Sequence, residues 1–276
     1  MLIVDSQVHV WAADRPDRPW HPERAHMAHR PTPFVVEDLQ IAMVEAGVDR
    51  VVIVPPSWEG DRNDLAIEAA RKEPDRFAIM GRLPLSPPPD ETLLAGWKKQ
   101  PGMLGMRFTF HTPTLKKALD DGTADWLWPA AEKHGIPLMV LPPGSLPTIG
   151  RIAERHPGLK LVIDHMAIPS GFKDEAAFAH LPELLALAKR PNVAVKASGL
   201  PGNSSHAYPY RNLQDPIRRT IDAFGPERVF WGTDLTRMPI PYKQCVAHFS
   251  EELPFLTGAA KEQVMGRAIC AWLGWK

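Results

Sequence analysis

The chain has two cysteines in 276 residues, Cys245 and Cys270, far apart and in segments of helical period. So few, so placed, they exclude a disulfide framework or a zinc ribbon and point to a reducing, cytoplasmic setting. Net charge is also missing, since 32 basic side chains balance 32 acidic ones. That removes the electrostatic case for nucleic acid or an anionic membrane as partner, and a small molecule becomes the expected ligand. No apolar run reaches the roughly 18 residues needed to cross a bilayer. The opening Met1-Leu2-Ile3-Val4-Asp5 lacks the basic flank and small-residue cleavage site of a signal peptide. No Ser/Gly-rich linker, low-complexity tract or charge block divides the chain, so residues 1–276 read as a single domain.

What is there is a rhythm. Eight strand-length apolar runs recur at fairly even spacing: Leu2–Asp5, Arg50–Pro55, Phe77–Leu83, Leu104–Phe108, Pro137–Leu141, Lys160–Asp164, Asn192–Ala197 and Val229–Gly232. Segments of helical period alternate with them, among them Val36–Ala46, Asn63–Arg71, Asp125–His134, Leu146–Arg155, Glu175–Lys189 and Leu213–Phe224, with two more after the last strand. Gly47, Gly135 and Gly158 stand where helices should stop. The 30 prolines fall mostly at strand and helix boundaries, where tight loops are needed. Strand then helix, eight times over, in a chain close to the usual ~250 residues, predicts an α/β fold of the (β/α)8 TIM-barrel type. The apolar C-terminal stretch Ile269–Trp275 reads as a helix packed on that barrel, with a contact in a homo-oligomer as the alternative.

In such a barrel the chemistry sits where the strands end. Strand 1 ends in Gln7-Val8-His9, whose alternation sends Gln7 and His9 to one side, and strand 4 in Arg107-Phe-Thr109-Phe-His111. Strand 6 ends in Asp164-His165, strand 7 in Lys196-Ala-Ser198, and strand 8 in Thr233-Asp234. An inward Arg107 needs an anion, either a structural carboxylate or a substrate carboxylate. Lys196 is equally a substrate contact or a partner for an interior carboxylate, and Asp164 reads as an orienting group. His9, His165, Lys196 and Asp234 at one height on different strands outweigh the ordinary reading of isolated barrel histidines as packed or solvated. In the long loop after strand 1, His21 is expected to reach a substrate, as is His111, whereas His26 and His29 are not. Trp11, Trp20 and Trp58 are candidates to wall an apolar pocket.

The segments Val4–Trp11, Leu161-Val-Ile-Asp-His-Met166 and Trp231-Gly-Thr-Asp234 resemble the strand 1, 6 and 8 signatures of the amidohydrolase superfamily. Across the whole chain the resemblance is to its amidohydrolase-related branch, which includes fuconolactonase, sulfomuconolactone hydrolase and pyrone-dicarboxylate lactonase. It implies hydrolysis of a small lactone, often carboxylate-bearing, in some members without a metal. The chain departs from the branch's usual His-x-His with Gln7-Val8-His9, and it lacks the strand 5 histidine of metal-dependent relatives, reading Leu138-Met-Val-Leu141 there.

A catalytic zinc takes three protein ligands and keeps one position open. With His165 reserved for substrate or proton transfer, only His9 and Asp234 remain, so a metal-free site is favoured over one zinc or manganese. The expected chemistry is attack of water on a cyclic ester, with Asp234 as base, His165 and His9 polarising the carbonyl, and Gln7, Arg107, Lys196, Trp11 and His111 contacting substrate. The alternatives are a metal-dependent decarboxylase or hydratase and a barrel that only binds its ligand.

Overall fold

A computed structural model describes residues 1–276. Its strands are β1 (Val4–Val8), β2 (Arg50–Ile53), β3 (Phe77–Gly81), β4 (Met103–Thr109), β5 (Leu138–Leu141), β6 (Leu161–Ile163), β7 (Val193–Ser198) and β8 (Val229–Gly232). All pair in parallel and in chain order. The last strand meets the first where Asp234 N–H donates to Gln7 O at 2.9 Å. The buried Asp5 carboxylate ties the seam by accepting from Thr233 N–H (2.9 Å), Thr233 Oγ1 (2.5 Å) and Tyr242 Oη (2.8 Å). Gly232 makes this approach feasible, because a Cβ there would fall on Ser6 Oγ and lie 3.1 Å from Asp5 Oδ1.

Alternation along the strands sorts two cores. Val51, Ile53, Ile79, Val140, Ile163, Val195 and Trp231 point outward under the helices. Val4, Val52, Met80, Met139, Val162, Ala194 and Phe230 point inward, where the C-terminal helix Ala268–Leu273 and Trp275 pack against them. Arg50 stacks over the Trp275 ring and Lys160 donates to Trp272 O, which pins this helix across the end at which the strands begin. The C-terminal stretch is thus a barrel-packing element. No helix is long and apolar enough to cross a membrane.

Helices Val36–Ala46 and Leu146–Arg155 occupy their expected spans. The first begins where Asp38 accepts the Val35 N–H and ends at Gly47, whose φ of 72° is the left-handed stop. Two expectations fail. Strand 1 runs on to Val8, through polar residues that the barrel mouth buries completely, with a register shift between Asp5 and Val8. The single helix expected over Glu175–Lys189 is instead Asp174–Ala177, Leu181–Ala186 and a 3-10 turn at Leu187–Lys189. Pro182 has no N–H to continue a ladder, and His180 turns away to bond Met166 O at 2.8 Å.

Candidate active site

The strand ends and the loops above them enclose a cavity of about 550 Å³, walled in part by His9, His29, Trp58, Arg107, His111, His165, Asp234 and Arg237. Its floor is a buried ion cluster. Asp164, at the end of β6, receives Arg107 Nε at 3.0 Å on Oδ2 and Lys196 Nζ at 2.7 Å on Oδ1. Burial opposes the Asp164 charge, but Lys196 and Arg107 outweigh it and hold its carboxyl below the usual range. Lys196, fully buried, also donates to Gln7 Oε1, and burial lowers its own pKa. Arg107 uses only Nε on the protein, so its two terminal amino groups are free for an anion in the cavity.

Above this floor His9 Nδ1 lies 2.5 Å from Val54 O. A carbonyl only accepts, so Nδ1 carries the proton and Nε2 faces inward. There Nε2 is 3.2 Å from Asp234 Oδ1, an oxygen that is buried and has no hydrogen-bond partner. A lone pair facing a carboxylate oxygen repels unless a proton or a cation lies between them. His29 stands beside them, its Nδ1 2.6 Å from Thr236 Oγ1. Ligand atoms of His9, His29 and Asp234 all lie within 4.8 Å of one another. Two imidazoles and a carboxylate, with the unpartnered Oδ1 and the His9 Nδ1–H held by a backbone carbonyl, form a donor set that fits a divalent cation.

Burial works against ionisation of Asp234, yet the adjacent His9, with His165 and His29 beyond it, keeps the carboxyl below the usual carboxylate range. Burial pushes His29 down to about 3 and His165 and His111 down to about 4, which leaves these three neutral near pH 7. His165 Nδ1 is 2.9 Å from Ser198 Oγ, so Nε2 is left to the cavity. Both His165 (φ 51°) and Asp234 (φ 58°) occupy the left-handed region, a strained backbone for residues with a Cβ. Each turns back over the cavity directly after its strand.

The sequence-predicted residues divide by depth. His9, Arg107, His111, His165 and Asp234 line the cavity. Gln7 and Lys196 lie one layer below, where they fix each other and Asp164. Trp11 is fully buried and meets Trp58 and His29 edge-on, while Trp58 forms the wall. The residue that sequence reasoning missed is His29. The Trp11–Phe34 bridge closes the base of the loop after β1, and the rings of Trp11, Trp58 and His9 seat His29 within it. His21, expected to reach the site, does not line the cavity. Where the strand ends alone offered two candidate metal ligands, the loop brings a third candidate, His29, beside them.

The sequence model of the family described as "Amidohydrolase" matches residues 4–274. Over 261 residues the chain is 27% identical to an L-fucono-1,5-lactonase of Burkholderia ambifaria, covering 90% of this chain and 83% of that one. It is 29% identical over 217 residues to a 4-sulfomuconolactone hydrolase of Hydrogenophaga intermedia, covering 74% of this chain and 65% of the relative. A solved amidohydrolase from Burkholderia multivorans superposes over the full length of both chains at 21% identity. The TM-score is 0.81 for its form with bound HEPES and 0.80 for its form with bound zinc. At that identity the likeness speaks for the fold.

Proposed function

Since the chain belongs to the amidohydrolase family, we propose that it hydrolyses a small lactone carrying a carboxylate. The observation that carries this reading is Asp234, a buried and ionised carboxylate with Oδ1 unpartnered, in a cavity whose other walls present donors from Arg107, His165 and Arg237. Such a wall suits an ester carbonyl that becomes an oxyanion. The names of the two relatives, a lactonase and a lactone hydrolase, support the lactone part of this reading.

In this reading the terminal amino groups of Arg107 hold the substrate carboxylate as a two-pronged clamp. Asp164 and Lys196 keep the Arg107 fork in place, and Gln7 in turn holds Lys196. Asp234 orients a water and takes its proton as the water oxygen bonds to the carbonyl carbon. His165, neutral, donates from Nε2 to the carbonyl oxygen as negative charge gathers there. The ring C–O bond then breaks, the proton passes to the departing oxygen, and a hydroxy acid leaves. The surroundings that keep Asp234 ionised make it a weak base, and the donors of Arg107, Arg237 and His165 stabilise the oxyanion. A divalent cation held by His9, His29 and Asp234 would supply Lewis-acid polarisation of the carbonyl.

The test is a panel of mono- and dicarboxylated lactones, assayed with and without chelator, alongside elemental analysis of the purified protein. Release of a ring-opened hydroxy acid, lost by a factor of about 10²–10⁴ in Asp234→Asn, is the expected result. Carbon dioxide release in place of ring opening would replace this reading with decarboxylation, and turnover surviving in Asp234→Asn would remove Asp234 from the chemistry.

A further inference from the structure

A second cavity, of about 310 Å³, opens beside the first and shares Met27, Ser57 and His111 with it. Arg82, just past the end of β3, is 8% exposed and lines this side cavity. Its Nε and Nη1 are buried without a hydrogen-bond partner. The closest carboxylate oxygen is Asp61 Oδ1, 3.7 Å from Nε, and Arg24 Nη1 shares that oxygen at 3.5 Å. Arg24 Nη1 is likewise buried and unbonded. Two guanidinium groups therefore rely on one carboxylate that lies beyond hydrogen-bond range of both. Glu23 lines the same cavity but is itself exposed to solvent.

A buried cation left this way is costly unless something completes it. The backbone holds Arg82 firmly, for the Asn63 amide accepts from Arg82 N–H and donates to Arg82 O, both at 2.8 Å. Burial, together with the neighbouring Arg107 charge, pushes Arg82 down to about 9, Asp61 only partly opposing them. The strain is that of an arginine waiting for an anion, beside a site whose own anion clamp is Arg107.

We propose that this side cavity is an anion subsite in which Arg82, assisted by Arg24, holds a second negatively charged group of the substrate, so that the preferred lactone is a dianion. The proposal rests on the lactone-hydrolase reading for the word substrate, but the subsite is testable without turnover. The probes are α,ω-dicarboxylates from succinate to suberate, each paired with the monocarboxylate of the same length, titrated calorimetrically into the unaltered protein and into Arg82→Gln. A charge-assisted contact of this kind is expected to favour one chain length of dicarboxylate over its monocarboxylate by about tenfold or more. In Arg82→Gln that preference should fall below about twofold, and Arg82→Lys should recover part of it.

Equal binding of di- and monocarboxylates at every length by the unaltered protein overturns the proposal, and that measurement does not depend on any variant folding. A preference that survives Arg82→Gln overturns it too, and would leave Arg82 as a structural partner of Asp61. If dicarboxylate selectivity is found but no lactone is opened, the hydrolytic reading fails and the subsite stands.

Discussion

Arg107 and Lys196 show how one carboxylate decides what two cations do. The sequence places both at strand ends but leaves open whether each meets substrate or protein. The answer depends on Asp164, which takes Arg107 through Nε alone and Lys196 through Nζ. Arg107→Gln should raise KM for a carboxylated lactone by about tenfold or more with a smaller change in kcat, read from initial rates. Lys196→Met should cost about 3 kcal/mol of stability, the low end for breaking a buried pair because Arg107 still neutralises Asp164. Chemical denaturation would measure it. Asp234, His165 and His9 are legible because barrel topology fixes the height of a strand end. His29 is not, since its place comes from a loop folded on Trp11 and Trp58, and nothing in linear spacing encodes that fold. A zinc titration should therefore find one site, weakened at least tenfold in His29→Asn, as calorimetry would show.

At the scale of elements, the strands are read from apolar runs almost to the residue on β5 and β8, because both are apolar up to the last position. β1 is the exception. Its second half, Asp5-Ser6-Gln7, is polar and wholly buried, so hydropathy ends the strand before hydrogen bonding does. The Asp5 carboxylate meets Thr233 N–H and Oγ1 only because the end of β8 comes so close, and Gly232 permits the approach. Gly232→Ala should force Ser6 and Asp5 aside and destabilise the protein by roughly 1–3 kcal/mol or more, with a lowered melting temperature as the readout. The break in the segment 175–189 was also written in the chain, at Pro182, but a helical period across it conceals the stop.

For the molecule as a whole, buried titratable groups set the response to acid. His248 is 1% exposed, neither ring nitrogen has a hydrogen-bond partner, and burial pushes it down to about 4. A histidine depressed in the folded state contributes stability that is complete above about pH 6.5 and is lost as pH falls through 4, by up to ~1.4 kcal/mol per pH unit. His29, His111 and His165 act in the same direction. Asp5, raised to about 6 by burial, acts in the opposite one, since its protonation as pH falls from 6 favours the folded state. Four groups against one predict a melting temperature that drops from pH 6.5 to 4, and a shallower drop in His248→Leu. A rise over that interval would contradict this account.

The seam between β1 and β8 also has a schedule. Thr233 and Asp5 are 228 positions apart, and a ribosome adding about 5–20 residues per second needs on the order of 10–45 s to cover that distance. Throughout that time β1 has a neighbour on one side only, and its Asp5 carboxylate faces solvent or a chaperone instead of Thr233. The helix Ala268–Leu273, which corks the other end, is made later still. Until Thr233 has been made, the nascent chain is therefore an open, sticky sheet, and it becomes a closed vessel only once β8 can reach back to β1.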